Sequence, residues 1–271
     1  MQSVNRLRPS NDINLQGELS RLIADRQQQI ATGKRIDKPS EDPAAWSQIS
    51  NIAKSQANIG AWLRNIDRAQ SIANQAEDAI TQISTQLTRV NELLVQASSG
   101  TVSSESRNII ALEIEHIGAT LSDIFSKDDS YGERLFPDNT PLSIPIDNDI
   151  SVAAAPAISQ FPDLVATVAN IASTIRTGDE SQRAAMLTVL RAQSDDLASL
   201  LGQQGVTGKQ LDDVQAQLQN RQIDFAEYRS ALEDTDLTQA IADMQKLLVN
   251  LEAAQATFAR IEQSSLFDLL R

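Results

Sequence analysis

His116 is the single imidazole in 271 residues, and the chain contains no cysteine. That inventory excludes thiol nucleophiles, disulfide frameworks, zinc fingers and iron–sulfur ligation. His116 sits one residue before Ile117, on a helical apolar stripe, with no organised Ser or Asp partner beside it. The expected place for it is the margin of a helical interface, not a proton-transfer dyad. The run Gly202-Gln-Gln-Gly205-Val-Thr-Gly208 has the glycines of a phosphate loop, but it lacks the Lys-Ser/Thr and the preceding strand. Asp147-Asn148-Asp149 could offer oxygen ligands to calcium, but the glycine and distal glutamate of an EF-hand loop are missing, and a solvated turn is the stronger reading. The acidic pairs Asp195-Asp196 and Asp212-Asp213 read as outer faces of helices. No catalytic, metal or cofactor site follows, and the expectation is a protein that is not an enzyme.

Charge narrows the partners. A formal net charge of −13 argues against nucleic acid, whose binders need a dense basic face. No apolar run approaches the ~18–20 residues of a membrane span. The opening residues contain no apolar block of a cleavable secretory leader. By these rules alone the expectation is a soluble chain with a cytoplasmic default.

With no chemistry to position, the elements themselves become the signal. All eight prolines fall at Pro9, at Pro39 and Pro43, and between Pro137 and Pro162. Proline costs ~3 kcal/mol inside a helix, so the proline-free tracts on either side of the centre are helix candidates. In the first, Ile59, Trp62, Ile66, Ala69, Ala73, Ala76, Ile80, Ile83, Leu87, Val90, Leu94 and Ala97 alternate at spacings of three and four, an a/d seam. A helix from Pro43 or Ala44 to Ser98 is expected, ended near Gly100, and a second from about Ser104 to Ser126. Trp62 lies on the seam as core, whereas Trp46 is off it and free to face a partner. A helix this long must lie against other long helices.

Residues 127–160 are expected to form a β-hairpin or irregular loop around Asp147-Asn148-Asp149, with little buried core. Pro145 confines the first run to an edge strand or a non-strand. Helical periodicity resumes at Leu164 and stops at Gly178. From Glu180 the seam returns through Leu187, Leu190, Leu197, Leu201, Leu211, Val214, Leu218, Phe225, Tyr228 and Leu232. Gly202, Gly205 and Gly208 predict a bend or break, each costing ~1 kcal/mol in a helix interior. Asp236 with Gln239 is compatible with a capping box, and equally with one helix running through.

The fold class expected is mainly α: long helices lying against one another, with a small irregular or β-hairpin region in the middle. Its parts are an N-terminal arm (1–43), a long-helix core (44–126 with 180–235), a short central region (127–179) and a C-terminal helix (236–271). Residues 1–38 carry a net charge of +3 and residues 236–271 carry −2, compatible with antiparallel pairing of the two ends. That attraction is screened by salt. Burial of Ile13, Leu15, Leu19, Leu22, Ile23 and Ile30 against Leu237, Ile241, Met244, Leu248, Leu251, Phe258, Ile261, Leu266 and Leu269 would have to supply most of the stability. An arm of this kind is expected to be disordered or helical until assembly.

The stretch Gln29-Ile-Ala-Thr-Gly-Lys-Arg-Ile-Asp-Lys-Pro-Ser-Glu-Asp-Pro-Ala-Ala45, followed by Asn65-Ile66-Asp67-Arg68-Ala69, resembles the N-terminal region of the bacterial flagellin superfamily. Asp236-Leu-Thr238, Ala253-Ala-Gln-Ala-Thr-Phe258 and Ser264-Ser-Leu-Phe-Asp-Leu-Leu270 resemble its C-terminal helix. The Lys-Pro-Ser-Glu-Asp-Pro version is closest to the hook–filament junction branch. Tyr131 to Phe136 is similar to a Leu-Phe-Ser-Gly patch of that branch, with Pro137 in place of the Ser and no Gly after it. The resemblance implies an elongated rod of long antiparallel coiled-coil helices, with residues 127–179 as a short variable outer region. It implies a structural flagellar protein outside the cell, a ring of about eleven copies packing by helices between hook and filament. It implies as partners further copies of the chain, a neighbouring hook-associated protein, flagellin, an export chaperone and the type III export apparatus. A short filament flagellin is the alternative within the superfamily, and a cytosolic coiled-coil scaffold the alternative outside it.

Overall fold

The computed structural model describes the backbone of residues 8–269 and the side chains of residues 13–260. Six α-helices and one hairpin follow in order: α1 (Arg8–Thr32), α2 (Pro43–Ser98), α3 (Ser104–Phe125), β1 (Leu142–Asp147), β2 (Ile150–Ala155), α4 (Leu164–Thr177), α5 (Glu180–Glu233) and α6 (Leu237–Leu269). The mainly helical class with a small central hairpin is thus borne out. The chain forms two compact units, residues 57–221 and residues 1–56 with 222–271. Their boundaries fall within α2 and α5, not at the helix ends.

The central unit is built on the α2 seam. Ile59, Ile66, Ala69, Ala73, Ala76, Ile80, Ile83, Leu87, Val90, Leu94 and Ala97 are all buried, while the bulkier Trp62 is half-buried. Spacing of three and four keeps these side chains on one stripe, so a single face of a 56-residue helix, ~84 Å long at 1.5 Å per residue, is removed from water. The stripe of α3, Ile110, Ala111, Ile114, Ile117, Leu121 and Ile124, is buried too. The helix starts on Ser103, whose side chain accepts from the Ser106 N–H. Helix α4 packs on α3 and buries Leu164, Val168, Ile171, Ala172 and Ile175. Asp163 caps its start by accepting from the Ala166 N–H. Arg176 and Glu115 form a bidentate pair across α3 and α4.

Helix α5 begins with a reciprocal capping box: the Asp179 carboxylate accepts from the Gln182 N–H at 2.8 Å, and the Gln182 side chain accepts from the Asp179 N–H at 2.9 Å. It then runs unbroken for 54 residues. The break expected at Gly202, Gly205 and Gly208 is absent. Leu197, Leu200, Leu211 and Leu218 are buried on both sides of the glycines, and tertiary packing overrides the local propensity. Among them Gln204 is buried. Its amide donates to Ala73 O of α2 at 3.2 Å and to Ala154 O of β2 at 2.9 Å.

The hairpin is antiparallel, with Ile144 opposite Val152, Pro145 opposite Ser151, and an irregularity between Pro145 and Asp147. Asp149 takes a positive φ of 56° in its turn, a conformation that Asp tolerates better than most residues. Little core was expected around this hairpin, and the structure corrects that. Leu135, Phe136, Ile144, Ile146, Val152, Ala154, Ala155, Ala157 and Phe161 are all buried. Phe125, Phe136 and Phe161 meet edge to face with centroids 5.0–6.2 Å apart. The loop from α3 is shaped by Asp129, whose carboxylate accepts from the Tyr131 and Glu133 N–H groups, and by Gly132 at φ +82°. Arg68 of the Asn-Ile-Asp-Arg motif stacks 4.6 Å over the Tyr131 ring and reaches Glu133. The Asp147 carboxylate, which sequence left as a calcium candidate or a solvated turn, pairs with Arg221 at 2.8 Å.

The second unit holds the chain ends. Helix α1 packs on α6. Gly33 O accepts from the Thr235 N–H and Arg26 pairs with Asp243, so the end of α1 meets the start of α6 and the two run antiparallel.

Candidate assembly surface

The arrangement of this second unit begins with the turn between α1 and α2. Gly33, at φ +72°, is the left-handed residue that closes α1, its N–H donating to Gln29 O. The Lys38-Pro-Ser-Glu-Asp-Pro43 segment then gains a physical account. The Glu41 carboxylate accepts from the backbone N–H groups of Asp37 at 2.7 Å and Lys38 at 3.1 Å, and these bonds hold it below its ordinary value. Asp42 is the N-cap of α2, accepting from the Ala45 N–H, and Pro43 takes the first helical position, where its missing N–H costs nothing. Ile36, Ala45 and Ile49 form a small buried cluster, with Trp46 and Leu232 packed against it. Trp46, read as free for a partner, is therefore engaged within its own chain.

The second corner lies at the end of α5. Asp236 caps α6 by accepting from the Gln239 N–H at 3.0 Å. The Gln239 side chain turns forward to Asp243, so only half of a capping box forms. The two corners join through an antiparallel bridge of Lys34 with Asp234. Arg35 N–H donates to Glu233 O at 2.6 Å, and the Arg35 guanidinium to Leu232 O at 2.9 Å. Glu233 is buried and accepts from Arg229 at 2.6 Å and from Lys34. Burial pushes its carboxyl up, but the bonds and charges of Arg229 and Lys34 outweigh that and hold it below its ordinary value. Neither corner was legible as a site. A Glu at helical spacing reads as solvated, and its Lys partner lies far away in sequence.

Beyond the corners the apolar stripes of α1 and α6 are only partly covered. Ile23 and Ala240 are buried. Leu19, Ile30, Met244, Leu251 and Phe258 are half-buried. Ile13 is 58% exposed, Leu15 50%, Leu237 47% and Val249 62%. Leu22, Ile241 and Leu248 are exposed as well. Within the single chain these residues cover one another only in part, because two helices alone leave one face of each stripe in water. Ile261, Leu266 and Leu269 lie outside the described side chains. Between α2 and α5, Gln48, Asn51, Ile52, Tyr228, Ala231 and Leu232 line an open, mostly apolar groove of about 440 Å³. Tyr228, counted on the α5 seam, is exposed.

His116 is exposed on α3, and among the described residues no group of three or more His, Cys, Asp or Glu could hold a metal ion. No helix there is long and apolar enough to cross a membrane. What the terminal pair α1 and α6 offers instead is amphipathic helices with one apolar face left uncovered in the single chain.

Comparison with known proteins places these features. Residues 11–140 match the bacterial flagellin N-terminal helical region, so the resemblance carried by the Thr-Gly-Lys-Arg-Ile and Asn-Ile-Asp-Arg segments is borne out. The chain is 28% identical over 120 residues to flagellar hook-associated protein 3 of Salmonella typhimurium, covering 44% of this chain and 38% of that one. It is 29% identical over 109 residues to the protein of the same name in Escherichia coli, covering 40% and 34%. The aligned part thus spans little more than a third of either relative. The fold is shared with a solved Bacillus cereus FlgL, at a TM-score of 0.58 and 15% identity over 66% of this chain and 98% of that one. A flagellar hook-associated protein structure from Vibrio parahaemolyticus gives a TM-score of 0.66 and 11% identity over 72% and 100%.

Proposed function

We propose that this chain is a structural protein of the bacterial flagellum that joins hook to filament by helical packing between copies, with no catalytic turnover. The observation that carries the reading is the antiparallel α1–α6 pair, whose apolar stripes remain exposed at Ile13, Leu15, Leu237, Ile241 and Leu248 in the single chain. Fully burying an exposed side chain of this kind is worth ~1.5–3 kcal/mol; these are 39–58% exposed, so covering by neighbouring copies adds roughly half of that at each. The relatives named hook-associated protein 3 support the junction position. Its partners are further copies of itself, an adjoining hook-associated protein and flagellin. It reaches the cell exterior through the flagellar type III apparatus with an export chaperone.

The test is location and copy number. A tagged chain should appear in a few copies at the distal end of the hook. Thousands of copies along the filament would replace this reading with a short flagellin. In a second arm, Leu237→Asp or Leu248→Asp should leave a folded, soluble chain that fails to assemble, and normal assembly of both variants would refute the packing surface.

A further inference from the structure

The described residues of the α1–α6 pair contain little that fixes its axial alignment. Among the described side chains of these two helices only Ile23 and Ala240 are buried. Among the described residues the one ion pair between the two helices, Arg26 with Asp243, spans 3.9 Å with both side chains more than a third exposed, so it contributes little. The apolar residues of α6 recur at three and four, and such a stripe offers similar contacts after a slip of one turn. The connections are unequal. Helix α6 follows α5 after three residues, whereas ten residues separate α1 from α2. A ten-residue segment has ample reach for a one-turn slip of ~5.4 Å.

What opposes that slip is the bridge between the corners. Lys34 lies opposite Asp234, Arg35 N–H bonds Glu233 O, Thr235 N–H bonds Gly33 O, and the Arg35 guanidinium bonds Leu232 O. Glu233, 6% exposed, draws Lys34 and Arg229 onto one carboxylate. A slipped α1 would take Lys34 away and leave that buried carboxylate with Arg229 alone, one of its two cationic partners lost. We infer that Lys34, Arg35 and Glu233 form a register lock: they are positioning residues that set where α1 stands along α6. They thereby decide which apolar side chains lie level on the face offered to a neighbouring copy. This deepens the assembly reading and rests on it only for that last consequence.

The test uses the unassembled 271-residue chain, so its result is independent of whether the protein forms a hook–filament junction. Because the chain has no cysteine, Gln27→Cys and Gln255→Cys, both exposed, can be nitroxide-labelled and their separation measured by pulsed electron resonance. The wild-type background should give one narrow distance. Glu233→Ala, and separately the double variant Lys34→Ala with Arg35→Ala, should add a second population displaced by about one helical turn, ~5 Å, with helix content unchanged. Lys34→Arg, which keeps the cation, should retain the single distance. An unshifted single distance in both alanine backgrounds overturns the lock. So does loss of a defined distance together with helix content, since the cluster would then hold the pair together without setting its register.

Discussion

The seam of the central unit and the stripes of the terminal pair are written in the same heptad-like spacing, yet they end in opposite states. From Ile59 to Ala97 the seam is buried almost without exception, whereas on α1 and α6 Ile23 and Ala240 are the buried apolar residues among those described. The difference is the number of covering elements. The seam belongs to a unit that also contains α3, the hairpin, α4 and α5, while α1 and α6 have chiefly each other. Apolar periodicity therefore states that a face will be covered, not that its own chain will do it.

The contrast can be broken most forcefully by truncating the seam. Ile80→Ala, at a fully buried position, should cost about 2–5 kcal/mol in chemical denaturation of the lone chain. Leu248→Ala, at 39% exposure, should shift the same transition by under ~0.5 kcal/mol. Equal effects would mean that α6 is as self-sufficient as α2. Next in size is Gln204→Leu, which removes the buried amide that donates to the carbonyls of Ala73 and Ala154. A loss of about 1–3 kcal/mol is expected in the unfolding free energy.

Smaller and opposite in sign is Gly205→Ala. A Cβ at Gly205 would meet nothing within 4 Å, so the variant should be more stable by up to ~1 kcal/mol in the same measurement. Destabilisation would show that α5 needs the freedom of glycine there. The last effect is acid sensitivity of the corners. Glu41 and Glu233 are both held below the ordinary 4.5. Each contributes stability that is complete above that value and is lost as pH falls through its folded value. An acid titration of Trp46 fluorescence, in a Trp62→Phe background, should move less in Glu233→Gln with Glu41→Gln than in the parent.

The sequence exposed most of this fold where one periodicity runs long. Ile59 to Ala97 fixed the position of α2, and alternation around Asp147-Asn148-Asp149 located the hairpin. The glycines of α5 misled because a local cost of ~1 kcal/mol each is small beside the burial of Leu197, Leu200, Leu211 and Leu218. The core around the hairpin stayed hidden because Phe125, Phe136 and Phe161 come from three segments with no shared period. The bridge between the corners was hidden more deeply, since charged residues carry no periodic signature of whom they will meet.

That bridge has a consequence in time. Arg35 and Leu232 are 197 residues apart, whereas the contacts of α3, the hairpin and α4 lie within one continuous stretch from Ser104 to Thr177. Closing so long a loop is entropically only modestly dearer than closing a short one, but it has to wait for both ends to exist. A chain made from its N-terminus onward therefore has α1 first and its partner α6 last, so α1 is the helix that goes longest without its intended neighbour.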